Sequence, residues 1–141
     1  MANSISNQVV RERRQTNVLT TTQTISEGSS TKDFSIATDA LVITLPLITT
    51  DNLGLELTFR NTGADANNII TLSPASADGF NGGFPFVTGS TASMNRASGT
   101  VNKDWINTKA TSKRGDWVTI KAVALTAWYV QGGQGVWASE A

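Results

Sequence analysis

The stretch LTFRNTGADANNIITLSP, residues 57–74, joins two strand-like runs through a polar segment of turn-forming residues. Apolar and polar side chains alternate on both sides of that segment, and a period of two places every second residue on one face of a strand. The pattern predicts a β-hairpin over residues 53–73, with a loop longer than the two-residue minimum. We expect its apolar face to lie in the core, namely Leu57, Phe59, Ile70 and Leu72.

The same alternation recurs in other parts of the chain. LVITLPL, residues 41–47, alternates until Pro46 ends the strand, and WVTIKAV, residues 117–123, precedes a strand-like WYVQGG at 128–133. Glycine-containing turns bracket the latter two runs, which predicts a second hairpin. No segment shows apolar residues at helical spacing, so the sequence predicts an all-β domain over residues 34–141.

The middle of the chain, residues 75–100, is rich in glycine, serine and asparagine and carries three phenylalanines. We predict a long loop here, with one short strand at 84–88. Three exposed phenylalanines would be costly in a free monomer, so we expect Phe80, Phe84 and Phe86 to be buried in the core or at an interface.

Residues 1–33 contain mostly Ser, Thr, Asn and Gln, with scattered apolar side chains. This segment is too polar to build a core, and it predicts an extended arm that becomes ordered on a surface. The cluster RERR at 11–14 favours charge-assisted contacts to an acidic protein surface, with a solvated arm of no function as the alternative. No apolar run has the length of a signal peptide or a membrane helix, so we expect an unprocessed protein made in a cytoplasm.

The composition excludes several classes of function. The 141 residues suit one domain, and 11 basic residues balance 11 acidic ones, which gives no electrostatic basis for binding nucleic acid or an anionic membrane. The chain has no cysteine and no histidine. Disulfides, thiolate chemistry and the usual general base at neutral pH are therefore absent, and an enzyme would depend on carboxylates, Lys or Tyr.

Three short motifs could carry chemistry, and each has a simpler explanation. The oxygen-rich Asp65, Asn67 and Asn68 could suggest calcium, but the glycine and the closing glutamate of an EF-hand loop are missing, which favours a plain turn. The tripeptide RGD at 114–116 is the sequence that integrins recognise, but here it is better explained as the turn before a strand. No two carboxylates show a sign of converging for hydrolysis. We predict no catalytic residue, no metal ligand and no cofactor.

The four tryptophans allow two interpretations. Trp105, Trp117, Trp128 and Trp137, with Tyr129, could form a platform that stacks on sugars, but tryptophan more often fills cores and protein interfaces. We favour the second interpretation. Trp137 follows the glycine-rich GGQG and lies near the end of the sequence, so it is the tryptophan that we expect to dock on another subunit.

Several of these runs together resemble a known class of protein. ITLP at 43–46, GLELTFRNTGADANNIITLSP at 54–74, DGFNG at 78–82, and GDWVTI with WYVQGGQGVW at 115–120 and 128–137 resemble a β module of tailed-bacteriophage virion proteins. The likeness is greatest to the small head decoration, or cement, proteins of siphophages. That resemblance implies a small β-barrel, tulip-like or sandwich domain with an N-terminal arm, and a homotrimer at three-fold positions between capsomers.

The expected function is therefore that of a non-enzymatic virion protein on the capsid exterior, made in the cytoplasm of a bacterial host. Its partners would be the major capsid protein and its own copies, without nucleic acid or membrane. A tail-fibre or tail-tip module that binds a host receptor or glycan is the alternative. The residues predicted to contact capsid or subunits are Val9, Val10, Arg11, Arg13, Arg14, Phe84, Phe86, Trp105 and Trp137.

Overall fold

The computed structural model describes residues 16–28 and 32–141, and these residues form strands, turns and loops with one short 3₁₀ turn at Lys109–Thr111. The prediction of an all-β domain is confirmed. The strands are β1 (Thr16–Leu19), β2 (Gln23–Thr24), β3 (Asp33–Ile36), β4 (Leu41–Thr44), β5 (Glu56–Asn61), β6 (Ile70–Ser73), β7 (Gly79–Thr88), β8 (Thr91–Arg96), β9 (Trp105–Asn107), β10 (Trp117–Ala124), β11 (Ala127–Gln134) and β12 (Trp137–Ser139).

The strands form two mixed sheets. One has the order β1-β3-β5-β10-β11-β7-β8, and the other has the order β12-β9-β6-β4-β2. Buried apolar side chains from both sheets form one cluster, so the sheets enclose a single core in the manner of a β-sandwich. We call the first the large sheet and the second the small sheet.

The first six strands alternate between the sheets. β1, β3 and β5 lie side by side and parallel in the large sheet, and β2, β4 and β6 do the same in the small sheet. The predicted hairpin over residues 53–73 is wrong, because β5 and β6 belong to different sheets. The four predicted core members, Leu57, Phe59, Ile70 and Leu72, are confirmed as fully buried. We call residues 16–73 the coil half, because each pair of strands makes one turn around the core.

Residues 79–139, the hairpin half, are built differently. β10 and β11 form the second predicted hairpin, which is confirmed, and its first strand pairs antiparallel with β5. The long loop predicted for the middle of the chain is instead the antiparallel pair β7–β8. Only Gly79–Gly82 of β7 pairs with β11, so the rest of this pair leaves the sheet as a two-stranded ribbon. β7 bends away from β11 at Gly82, where a φ of +83° is readily adopted by glycine.

Part of the predicted arm belongs to the sandwich. Within residues 1–33, β1 and β2 join the edges of the two sheets, and Leu19 and Ile25 are buried in the common core. Two apolar residues are enough to cover the core at these edges: Leu19 at the end of β1 and Ile25 directly after β2. The boundary expected at residue 33 thus falls inside the β domain. Residues 1–15, with the predicted contacts Val9, Val10, Arg11, Arg13 and Arg14, lie outside the described residues.

The strand directions define two ends of the sandwich. Parallel strands in each sheet require that every crossing from the large sheet to the small sheet occurs at one end and every return at the other. The apical end contains loops 37–40, 62–69 and 108–116. The basal end contains loops 45–55, 74–78 and 97–104, the turn at 125–126, and the start of β1. The part of the chain described here includes no helix long and apolar enough to cross a membrane.

Candidate functional site

The apical end contains a chain of buried amide and carboxylate side chains between the two sheets. The Asn107 Nδ2 donates to Asp116 Oδ2 at 3.0 Å, and its Oδ1 accepts from Asn61 Nδ2 at 3.0 Å. Asn61 Oδ1 in turn accepts from Asn68 Nδ2 at 3.3 Å and from the Gly63 backbone at 3.0 Å. These four side chains are at most 1 % exposed, so their mutual bonds replace those that water would make.

Two glycines make room for this network. A Cβ at Gly63 would lie 2.1 Å from Asn68 Nδ2, and a Cβ at Gly135 would lie 2.2 Å from the Asp116 Cγ. Gly135 also has a φ of +96°. The Asn and Gly of NTGADANN therefore serve a buried structure as well as the turn that their sequence predicted.

Two exposed ion pairs surround the network. Asp39 pairs with Lys109, and this bond, followed by a backbone bond from Ile69, lowers the pKa of Asp39. Asp65 accepts from the Arg114 backbone at 2.8 Å and pairs with Lys113 at 3.4 Å, and these contacts lower its pKa in that order.

The oxygen-rich tip at residues 65–68 is engaged in protein contacts. Asp65 binds the loop before β10, and Asn68 binds Asn61 inside the network. Among the described residues, no group of three or more acidic side chains could hold a metal ion. Residues 65–67 form a turn, and Asp65 and Asn68 are used in contacts within the protein.

A groove of about 630 Å³ opens beside this network, between the ribbon and the apical end of the large sheet. Residues 85–89 form one wall, and residues 133–136 with Trp117 form the other. Volumes of roughly 300–1,000 Å³ are typical of sites for small ligands. Phe86 is half-buried on the ribbon wall, and Asp116 lies at the base of the groove.

Glycines in QGGQG allow the ribbon to approach the sheet. A Cβ at Gly133 would lie 2.5 Å from Cε1 of Phe84, so only glycine leaves space for the ring. Phe84 is buried by this contact, whereas Phe86 is not. Asn95 of β8 adds two bonds, because its Nδ2 donates to the Gly135 carbonyl and its Oδ1 accepts from the Trp137 backbone.

Trp117 is the half-buried tryptophan, and its ring lies on the outer face of the large sheet. Arg60, its register partner on β5, places its guanidinium 5.9 Å from the ring centroid. On the other side, Gln134 is the register partner on β11. A Cβ at Gly132 would lie 3.9 Å from the edge of the indole, which is ordinary contact distance. The ring is therefore held in place by its neighbours on both adjacent strands.

The other three tryptophans belong to the core. Trp105 and Trp137 stack with their ring centroids 6.5 Å apart, and Trp105 also contacts Phe80. Trp105, Trp128 and Trp137 are at most 2 % exposed. A side chain buried within its own chain presents no area to a partner, which removes Trp105 and Trp137 from the predicted interface. Phe84 is removed for the same reason, and Phe86 keeps a partly exposed ring.

Among residues 16–28 and 32–141, the two buried carboxylates lie at opposite ends of the sandwich. Asp116 belongs to the apical network, whereas Asp78 precedes β7 at the basal end, where its Oδ2 accepts from the Ile48 backbone at 2.9 Å. Hydrolysis by a carboxylate pair needs both groups on one cleft. These two do not meet.

Large apolar side chains are exposed at the basal end. Leu47, Leu53, Val123 and Leu125 are each 43–53 % exposed. The turn at 52–55 bonds to the end of β10 through Gly54 N to the Ala122 carbonyl at 2.7 Å, which brings these segments together. The Asn52 Nδ2 also donates to the Leu47 carbonyl. We call these four side chains the basal apolar cluster.

Sequence reasoning missed both the buried network and the basal apolar cluster. The network is composed of residues that also make turns, and only the glycines at 63 and 135 could have indicated close packing. The cluster joins residues 47–53 with 123–125, and no local pattern relates them. The family models, the curated proteins and the solved structures compared with this chain include no match.

Proposed function

We propose that this protein is a decoration protein of a tailed-phage head, which binds the outer surface of the assembled capsid and holds neighbouring capsomers together. The observation that carries the proposal is the basal end, where the exposed apolar cluster and the start of β1 occur on the same side of the sandwich. The 15 residues that precede β1 in the sequence include the basic residues Arg11, Arg13 and Arg14.

The basal apolar cluster suits a contact surface. Leu47, Leu53, Val123 and Leu125 each expose about half of their area, and covering them would contribute roughly 25 cal/mol for each Å² of apolar surface removed from water. Apolar side chains near the centre of an interface and charges at its rim are the usual arrangement. In the proposed interface the basal apolar cluster is the centre, and the basic residues that precede β1 in the sequence supply the charges.

Stabilisation by this protein would require no chemistry. A ligand that binds only the assembled lattice stabilises it by RT ln(1 + [L]/Kd), and a trimer that bridges capsomers multiplies weak contacts through effective concentration. The proposed partners are the major capsid protein and two further copies of this chain at three-fold positions. The separation of Asp78 from Asp116 at opposite ends supports a non-catalytic role.

The test uses phage heads that lack the protein, to which purified protein is added back. We expect the double variant Leu53→Ser with Leu125→Ser to lower occupancy on heads by at least about tenfold, since roughly 1.4 kcal/mol corresponds to that factor. Val87→Ser with Met94→Ser is the control, because these two apolar residues are more exposed than Leu53 and Leu125 but lie on the ribbon. Equal loss in both variants would contradict a basal seat.

Deletion of residues 2–15 tests the arm separately. We expect weaker attachment to heads with an unchanged thermal transition, because β1 begins at Thr16 and keeps its pairing with β3. Replacing only Arg11, Arg13 and Arg14 by Gln distinguishes charge from length. Full occupancy of heads by the deletion variant would remove the arm from the proposal.

The alternative of a tail module that binds glycan would use a different surface, the groove beside Trp117. Imaging of virions with and without the protein separates the two proposals. Density lost from the head supports decoration, and density lost from the tail supports the alternative.

A further inference from the structure

We infer that the base of the sandwich selects a cationic protein surface, with an apolar centre and with lysine or arginine side chains along one side of that centre. The inference rests on the proposed function, and it names the chemistry of the surface that the basal apolar cluster contacts. Two observations support it: the described residues carry an excess of carboxylates at the basal end, and two of these carboxylates lie beside the cluster without a cationic partner.

The two ends of the sandwich differ in the sign of their charge. Among the described residues, the apical end has four basic side chains and three carboxylates: Arg60, Lys109, Lys113 and Arg114 against Asp39, Asp65 and Asp116. The basal end, with the end of β8 included, has six carboxylates that are not buried and four basic side chains: Glu27, Asp33, Asp51, Glu56, Asp104 and Glu140 against Lys32, Arg96, Lys103 and Lys121. The difference is one positive charge at the apical end and two negative charges at the basal end.

Two of the basal carboxylates lie next to the basal apolar cluster. The Asn52 Nδ2 donates to the Leu47 carbonyl at 2.8 Å and to Glu27 Oε2 at 3.5 Å, so Glu27 borders the cluster. Asp51 is exposed and lies two positions before Leu53 in the same loop. Within residues 16–28 and 32–141, neither Glu27 nor Asp51 forms an ion pair. Their charges therefore stand beside the apolar side chains without neutralisation from this part of the chain.

The side of the cluster formed by the end of β10 carries both signs. Lys121 lies two positions before Val123, and its register partner on β5 is Glu56. A lysine and a glutamate in one register position offset each other's charge. The net negative charge next to the cluster is thus on the side of Leu47 and Leu53, and a complementary partner has its cations there.

Charge is a suitable basis for selection at this surface. Four half-exposed aliphatic side chains cover only part of the roughly 800 Å² that each partner buries in a stable interface, so the bordering carboxylates belong to the contact. Charges at the rim of an interface steer the encounter and repel surfaces of the same sign. Residues 1–15 contain three arginines and one glutamate, so their net charge is opposite to that of the base. The base and this segment therefore need different parts of the partner surface.

The experiment measures binding of the full chain to phage heads that lack the protein, at about 50 mM and about 500 mM NaCl, between which charges become strongly screened. Glu27→Gln with Asp51→Asn removes the two charges beside the cluster, and both side chains are exposed, so the fold should persist. We expect this variant to bind heads roughly threefold to tenfold more weakly at the lower salt concentration, as two exposed ion pairs would predict. The difference from the unmodified chain should shrink at the higher salt concentration.

Asp39→Asn with Asp65→Asn is the matched control, because it removes the same number of negative charges from the apical end. It should leave the affinity for heads unchanged, whereas Glu27→Lys with Asp51→Lys should weaken binding further than removal of the charges does. If the basal and apical variants lose affinity equally, or if the basal variant binds heads as tightly as the unmodified chain at low salt, the inference is overturned while the proposed function stands. Failure of the unmodified chain to bind heads would overturn both.

Discussion

The coil half and the hairpin half use the same period-two sequence pattern to build different connections. In residues 16–73 each strand is followed by a strand in the opposite sheet, and all neighbours within a sheet are parallel. In residues 79–139 the pairs β7–β8 and β10–β11 are hairpins within one sheet. The two halves meet in both sheets, where β5 pairs with β10 and β6 pairs with β9.

The difference follows from what a strand pattern determines. Alternation decides which face of a strand is buried, but it does not decide which strand is its neighbour. The link between β10 and β11 is the two-residue turn Leu125–Thr126, which forms a hairpin within the large sheet. The link from β5 to β6 is eight residues long, from Thr62 to Ile69, which is enough to cross the core. Link length alone does not separate the two halves, because the two-residue link at 135–136 also crosses from the large sheet to the small sheet.

The largest expected effect is that of Phe59→Ala in the coil half. Phe59 is fully buried and stacks on Phe34 with 5.1 Å between ring centroids, so its truncation should cost about 3–5 kcal/mol of unfolding free energy. Because both halves share one core, the loss should appear equally in far-UV circular dichroism and in tryptophan fluorescence. All four tryptophans lie in the hairpin half, so their fluorescence reports on that half alone.

A divergence of the two signals would break this expectation. If Phe59→Ala shifts the circular dichroism transition but leaves the fluorescence transition in place, the halves unfold separately. Phe86→Ala is the matched control, since that ring is only half-buried on the ribbon and its truncation should cost clearly less.

The second expected effect concerns the network that joins the halves at the apical end. Asn107→Ala removes the donor to Asp116, the donor to the Val136 carbonyl and the acceptor for Asn61. Each buried group left without a partner costs about 1–3 kcal/mol, and more when it is charged. Chemical denaturation should show a loss of at least that size. A control is Asn67→Ala, which removes only a part-buried 3.2 Å bond to Asn68.

The buried faces could be predicted from sequence, and the connections between them could not. Alternation located Leu57, Phe59, Ile70 and Leu72 in the core, because a single strand contains that information. It did not distinguish a hairpin from a crossing between sheets. The polar segment at 16–28 lacked an apolar pattern, because it contributes only Leu19 and Ile25 to the core.

The candidate site was predicted only in part. The exposed ring of Trp117 was one of four tryptophans considered for a sugar platform, and burial of the other three depends on tertiary packing that composition does not reveal. The ribbon wall was mistaken for a loop because glycine-rich strands carry little β propensity. Asn61 and Asn107 lie 46 positions apart, so their buried bond has no local signature.

The third expected effect concerns the glycines that permit the ribbon. Gly133→Ala would place a Cβ 2.5 Å from the Phe84 ring and 2.7 Å from the Trp117 carbonyl, and overpacking of this kind costs about 1–3 kcal/mol. We expect faster amide exchange in β7 and β8 with little change in β3 and β4, which would sharpen the contrast between the halves. Gly89→Ala is the control, because a Cβ there meets nothing within 4 Å, although its φ of +61° adds backbone strain.

The smallest expected effect is electrostatic and tests the contact between Asp39 of the coil half and Lys109 of the hairpin half. This pairing lowers the pKa of Asp39 in the folded state below its ordinary value. A carboxyl whose folded pKa is depressed contributes stability above its unfolded pKa, about 4, and loses it as pH falls through the folded pKa. The pair is exposed, so the gain is small and is screened by salt.

Asp39→Asn should therefore lower the melting temperature slightly at pH 7, and the difference from the unmodified chain should shrink as pH falls below about 4. The amide oxygen can still accept from the Ile69 backbone, so the substitution isolates the charge from that bond. Lys109→Met, which changes the other partner of the ion pair, should produce the same pH dependence. It removes the cation and leaves the loop at 37–40 intact. If the two variants differ in opposite directions with pH, the two halves are not linked through this ion pair, and only the buried network and the shared core connect them.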